Sequence, residues 1–182
     1  MLSDDELMGE VRRGSQAAFE TIFERYREPV WRFFRRRTPD AGVAQELAQD
    51  TFVALFESAR RYKAKGMFRS YLFGVAYNVL LADRRKRAHQ RTESLEAESA
   101  PGRAANREEA IWVRDAIATL EEGDREILML REYEELSYQE IADVRGIPLN
   151  TVRSQLFRAR AALKAALETR ALEPVRSTHG GH

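Results

Sequence analysis

Apolar residues recur at three- and four-residue spacing through most of this chain, with no strand-like alternation of useful length. Phe19, Ile22, Phe23, Tyr26, Val30, Phe33 and Phe34 form one stripe, and Val43, Leu47, Phe52, Leu55 and Phe56 a second. A period near 3.6 builds amphipathic helices and cannot build a half-buried strand. Only 10 glycines and 5 prolines interrupt the 182 residues, so an all-α fold is expected. That length suits one domain or two small ones.

Breaks in the pattern divide the chain. The run "SDDE" at Ser3 to Glu6 has capping-box spacing and opens a short helix that Gly14 can close. Residues 16–38 form a second helix, in which Pro29 should make a kink or mark a boundary. Residues 38–42 read as a turn, 43–60 as a helix, 63–66 as a break, and 68 to about 89 as a long helix with a basic end. At Thr92 the composition changes to small, polar and mildly acidic residues, with Pro101-Gly102 among them. Such a segment buries too little apolar surface to fold, so 92–106 is expected to be a flexible linker. Helical patterning returns over 107–119, 123–136, 137–144 and 149 to about 169. The expected organisation is a helical domain over 1–91, a linker over 92–106, a second helical domain over 107–170 and a disordered tail over 171–182.

Charge narrows the partners. Charged residues make up 32% of the chain, yet the net charge is only +1, so a polyanion could be attracted only by local clusters. The absence of cysteine rules out disulfides and thiolate zinc sites and fits a reducing cytoplasm. The acidic N-terminus lacks the apolar stretch of a signal peptide, and no apolar run could span a membrane. An enzyme is not expected. There is no glycine-rich phosphate loop, the three histidines are His89, His179 and His182, and the acidic residues lie at helix-surface spacings. No metal or cofactor is expected either.

The stretch "SYQEIADVRGIPLNTVRSQLFRARAAL" from Ser137 carries the sharpest signal. Ser137 and Glu140 make a second capping box, and Ile141, Ala142 and Val144 supply a short buried face. Gly146 sits where a left-handed residue would end that helix, and Pro148 suits the first turn of the next. Val152 and Leu156, four apart, face back onto the first helix. Two helices crossing tightly around a glycine turn make a helix-turn-helix. The opposite face carries Asn150, Thr151, Arg153, Ser154, Phe157 and Arg158, which can bond bases and phosphates. Most arginine-bearing helix faces are merely solvated. Here the cap, glycine, apolar plug and acid-free face occur together, so the DNA major groove is the expected partner.

The first domain holds two kinds of surface. Arg84, Arg85, Lys86, Arg87 and Arg91 exceed what a helix C-terminus needs to complement its dipole, and suit a phosphate backbone. Tyr71, Tyr77 and Asn78 lead into that run and could meet unpaired bases, while Phe73 and its apolar neighbours read as core. Arg32 to Arg37, "RFFRRR", could be only a solvated helix end. Residues 44–57 alternate acidic and apolar groups and read either as a plain amphipathic core helix or as a docking face for another protein.

In this order the pieces resemble the extracytoplasmic-function sigma factors, of the sigma-70 family of bacterial RNA polymerase. "ELAQDTFVALFE" resembles the family's polymerase-docking helix, "FRSYLFGVAYNVLLADRRKR" its −10 promoter helix, and "LEEGDREILMLREYEELSYQEIADVRGIPLNTVRSQLFRARAAL" its −35 module. Tyr71 and Gly74 depart from the frequent Trp and Arg, and Val43 from a common Asp. The resemblance implies a promoter-specificity subunit that binds core RNA polymerase and directs transcription initiation. Glu46, Gln49, Asp50, Val53 and Phe56 would dock on the clamp of the largest subunit, and the second domain on the flap of the second-largest. Lys65, Phe68, Arg69 and Asn78 would hold a flipped base of the −10 element, with Arg84, Arg85 and Arg87 on phosphates. Asn150, Thr151, Arg153, Ser154, Phe157 and Arg158 would read the −35 element. An anti-sigma partner is also implied. The alternative is a stand-alone helix-turn-helix regulator, which should dimerise; the chain offers no heptad seam for that.

Overall fold

The structure, a computed structural model, describes residues 2–63, 66–93 and 108–171. They form eight α-helices: α1 (Asp4–Arg12), α2 (Gln16–Arg35), α3 (Ala41–Ser58), α4 (Phe68–Glu93), α5 (Glu108–Ala118), α6 (Glu122–Glu132), α7 (Tyr138–Arg145) and α8 (Leu149–Ala171). A 3-10 turn, Ala59–Arg61, follows α3 directly. The fold is all-α and has two helical domains, as the periodicity requires. Most of the segments read as linker and tail, 94–106 and 172–182, lie outside the described residues.

Local chemistry sets the boundaries. At α1, Ser3 Oγ accepts from Glu6 N, and Glu6 Oε2 accepts from Ser3 N at 2.7 Å. This pairing draws the Glu6 carboxyl below its usual range, the Ser3 backbone bond being the larger cause. Gly14, at φ +94°, makes the left-handed turn between α1 and α2. Asp40 caps α3 by accepting from Gly42 N at 2.6 Å and Val43 N at 3.1 Å, which starts the helix two residues before the sequence pattern does. Pro29 does not end α2. The ring removes one backbone donor, but the buried stripe around it (Ile22, Tyr26, Val30, Phe33, Phe34) holds the helix through it.

In the first domain α1 and α3 pack on α2, and α4 packs on α3. Its centre is aromatic and aliphatic: Phe33, Phe34, Leu55, Leu72 and Phe73 are fully buried, and the rings of Phe33 and Phe73 lie 5.7 Å apart. A Phe→Ala change in such a core typically costs about 3–5 kcal/mol. α1 is fastened by side chains: Tyr26 donates to Asp4 at 2.5 Å, Arg25 pairs with Asp4, and Tyr62 donates to Asp5. In the second domain α5, α6 and α7 pack on α8 around Ile127, Leu130, Leu136, Ile141, Val152, Leu156 and Ala159.

Candidate nucleic-acid interface

The helix-turn-helix forms from α7 and α8. Ser137 and Glu140 close their capping box, with Glu140 Oε2 accepting from Ser137 N at 2.7 Å. Gly146 takes φ +63°, a left-handed conformation that costs a side-chain-bearing residue about 1 kcal/mol or more. Val152 and Leu156 are buried against the first helix. Asn150, Arg153, Ser154 and Phe157 are exposed along one side of α8 and Thr151 is half-buried beside them. Phe157 is 76% exposed, far more than a ring kept for packing. Arg153 Nη1 donates to Asn150 Oδ1 at 3.1 Å, so the two present themselves together. Arg158 is held to one side: Nη2 and Nε donate to the Asp124 carboxylate at 2.9 and 3.2 Å. That pairing keeps the guanidinium firmly protonated.

Glu46, Gln49, Asp50, Val53 and Phe56 all lie exposed on the outer side of α3. Val53 and Phe56 are more than half exposed. Two aromatic groups of the first apolar stripe, not singled out from the sequence, widen this face. Phe19 of α2 meets Phe56 edge-on at 5.2 Å, and Phe23, about one-third exposed, meets Phe52 at 4.8 Å. Their i, i+4 spacing on α2 is the signal that could have found them.

The residues expected at the −10 element separate. Lys65 lies outside the described residues. Phe68 is buried between the rings of Tyr26 and Tyr62, at 5.3 and 6.0 Å, which corrects its placement as a contact: it belongs to the core beneath the surface. Tyr77 is buried as well, with the Arg145 guanidinium 5.4 Å from its ring. Asn78 is exposed and lines a cleft of about 420 Å³ with Met67, Tyr71, Gly74, Asp143 and Val144. Arg85 and Arg87 are exposed near the end of α4, with Arg87 donating to Asp83 at 2.7 Å. Arg69 and Arg84 instead reach the second domain. Arg69 Nε donates to the Glu134 carbonyl at 2.8 Å, and Arg84 Nη1 to Glu122 Oε1 at 2.8 Å.

The run "RFFRRR" is not a solvated helix end. Arg37, with its side chain only 1% exposed, donates through Nε to Glu126 at 2.7 Å and through Nη1 to Glu134 at 3.1 Å. Arg36 Nη2 reaches both Glu134 oxygens, at 3.0 and 3.2 Å, and its guanidinium lies 4.4 Å from the Tyr133 ring. Glu126 and Glu134 are themselves buried. The sequence offered one hint: Glu126 stands four residues before Leu130, on the apolar stripe of α6. Among the described residues no cluster of His, Asp or Glu could hold a metal, and no helix is long and apolar enough to cross a membrane.

An exposed acidic and apolar face on α3, a basic stretch in α4 and a helix-turn-helix in α7 and α8 stand together on one chain. Residues 22–90 match sigma-70 region 2 and residues 110–163 match sigma-70 region 4. Over 181 residues the chain is 32% identical to the RNA polymerase sigma-H factor of Pseudomonas aeruginosa, covering 91% of this chain and 94% of that one. It is 29% identical to the sigma-E factor of Escherichia coli K12, an extracytoplasmic-function sigma factor, over 178 residues, 89% and 93% of the two chains. The fold is similar to that of CnrH in complex with the cytosolic domain of CnrY (TM-score 0.68, 24% identity, 91% and 97% coverage). It is similar also to the sigma factor RpoE of Bartonella quintana in complex with the anti-sigma factor NepR (TM-score 0.72, 21% identity, 82% and 96% coverage). The chain belongs to the sigma-70 family and is an RNA polymerase sigma factor of the extracytoplasmic-function type.

Proposed function

We propose that this sigma factor binds core RNA polymerase through α3 and recognises promoters at two separate elements, one per domain. The observation that carries the reading is the contrast between two exposed faces. The outer face of α3 joins Glu46, Gln49 and Asp50 to Val53 and Phe56, an acidic and apolar surface suited to a protein partner. The outer face of α8 from Asn150 to Phe157 carries no acid and suits duplex DNA. Glu46, Gln49, Asp50, Val53 and Phe56 dock on the clamp of the largest subunit, and the second domain on the flap of the next. Asn150, Thr151, Arg153, Ser154 and Phe157 read the −35 element in the major groove. Arg158, which would exchange Asp124 for a phosphate, flanks them.

Asn78 with Arg69 and Lys65 receives an unpaired base of the −10 element, and Arg84, Arg85 and Arg87 hold its backbone. Flipping a base costs a few kcal/mol, so the pocket must offset lost stacking. The domains span about 1–91 and 107–170, the segment between them acts as a flexible link, and 171–182 forms a tail. Two weak sites on one chain gain from effective concentration, so both elements are needed together. The protein works in the cytoplasm without catalytic activity of its own, and the likeness to sigma factors solved with anti-sigma proteins supports an anti-sigma partner.

The test is transcription in vitro with core polymerase and a library of random promoters. Discrete starts sharing −10 and −35 sequences are the expected result. Sequence-specific DNA binding by the chain alone, without protein-dependent starts, would overturn the reading in favour of a stand-alone regulator.

A further inference from the structure

We propose that Asp5 of α1 is a positioning residue for the −10 cleft: it anchors Tyr62, and through Tyr62 it fixes the rim of the cleft in which the unpaired base is read. The inference rests on the assignment of that cleft to the −10 element made above. Tyr62 lines the cleft between its chain neighbours Arg61 and Lys63. Between Ala59 and Phe68 it is the one buried side chain among the described residues, while Arg60, Arg61, Lys63 and Met67 are exposed. A segment with a single buried side chain is only as well ordered as that side chain.

The Tyr62 hydroxyl donates to the Asp5 carboxylate, a charged acceptor that makes the bond stronger than one to a neutral group. The Tyr62 ring meets Phe68 at 6.0 Å and Tyr71 at 4.8 Å. The Tyr71 hydroxyl donates in turn to Ser58 Oγ at 2.7 Å. Along α4, Tyr71, Gly74, Val75 and Asn78 follow at three- and four-residue steps, so they share one face, and all four line the cleft. A run of contacts thus leads from α1 to the residue proposed to hold the base: Asp5 sets Tyr62, Tyr62 sets the Tyr71 ring, and Tyr71 stands one face along from Asn78.

α1 gives this anchor a firm base. Its capping box fixes the first turn, Asp4 accepts from Tyr26 and Arg25, and Leu7, Met8 and Val11 are buried. None of those fastenings uses Asp5. Loss of the Asp5 carboxylate therefore frees Tyr62 while α1 stays in place, which separates positioning from folding. A buried hydroxyl left without a partner is costly, so Tyr62 would shift to reach water. Arg61 and Lys63 would move with it, since among the described residues neither pairs with a carboxylate.

Transcription in vitro with core polymerase, the full-length chain and a library of random promoters reads the base preference at the −10 and −35 positions separately. Asp5→Ala should lower the −10 preference by about tenfold or more, as misplaced recognition groups do, and leave the −35 preference near the wild-type value. Tyr62→Phe keeps the ring and loses the donor; it should do the same, and the double variant should be no worse than either. Asp5→Asn keeps an acceptor and should restore the preference; a value as low as that of Asp5→Ala would overturn the hydrogen bond as the cause. Ile22→Val, buried in α2, is the stability control, and an equal loss there would overturn positioning, because any loosening of the domain would then suffice. Asn78→Ala separates this inference from the reading beneath it. If Asn78→Ala flattens the −10 preference and Asp5→Ala does not, positioning alone has failed. If neither changes it, the assignment of the cleft to the −10 element has failed, and the positioning with it.

Discussion

Arg37 and Glu126, 89 residues apart in the sequence, meet at 2.7 Å with both side chains buried. Glu134 joins them, so one guanidinium is shared by two carboxylates. Removing one partner of a buried pair leaves an uncompensated charge, at a cost of about 3–5 kcal/mol. Arg37→Ala should therefore destabilise the chain by that order, because Glu126 loses its short contact and Glu134 one of two. Arg36→Ala, whose side chain is a quarter exposed, should cost about 1 kcal/mol or less. Urea titration of both variants checks the difference; equal losses would show that the buried position carries no special weight.

Arg153 stands on the exposed face of α8 with its guanidinium bonded to Asn150. If it reads a base, Arg153→Ala weakens promoter binding by about 1–3 kcal/mol at sites bearing the preferred −35 base and little elsewhere. Binding across a panel of −35 variants measures this. A uniform loss, with a smaller salt slope, would make Arg153 a phosphate contact instead.

Asp50 projects from α3 without a packing role, between the exposed Gln49 and the outward-facing Val53. Asp50→Arg should abolish co-purification with core polymerase while the thermal midpoint of the chain moves little. Phe56→Ala should weaken the same association by about 1–2 kcal/mol or more, since exposed aromatic anchors dominate such interfaces. Retained co-purification in both would mean the docking face lies elsewhere.

Tyr26 predicts an alkaline transition. Burial, and then the bond to Asp4, push its phenol up to about 12; Tyr62 is raised in the same way by burial and Asp5. A raised phenol favours the folded state fully below the unfolded value near 10, and that contribution disappears as pH rises through the folded value. Stability should fall between about pH 10 and 12, and Tyr26→Phe should flatten that fall. Denaturant midpoints across the window, with phenolate absorbance followed in parallel, would reveal it. An unchanged slope in the variant would assign the loss to other groups.

The sequence made most of the helices legible because each is announced locally: two capping boxes, Gly14, Gly146 and the apolar stripes act within a few residues. The α3 and α8 faces were legible for the same reason, since a helix face is a matter of spacing. Phe68 was placed at the −10 element by resemblance alone, and neither resemblance nor spacing tells which neighbours cover a ring; Tyr26 and Tyr62 come from other elements. The fate of "RFFRRR" was beyond reach on similar grounds. Arginine at a helix end reads as solvated until the distant Glu126 and Glu134 are known to fold against it. Pro29 does not mark a boundary, because a helix with buried residues on either side of a proline tolerates one missing donor.

The distance in sequence between Arg37 and its partners also has a meaning in time. Ribosomes add about 5–20 residues per second, and N-terminal domains fold first. Glu126 and Glu134 follow Arg37 by 89 and 97 residues, a delay of about 5–20 s. During that interval the newborn first domain carries Arg36 and Arg37 without their carboxylate partners, beside the nucleic acids of the translating ribosome. The shielding seen in the finished chain is thus completed late in synthesis, and a molecule truncated before α6 never acquires it.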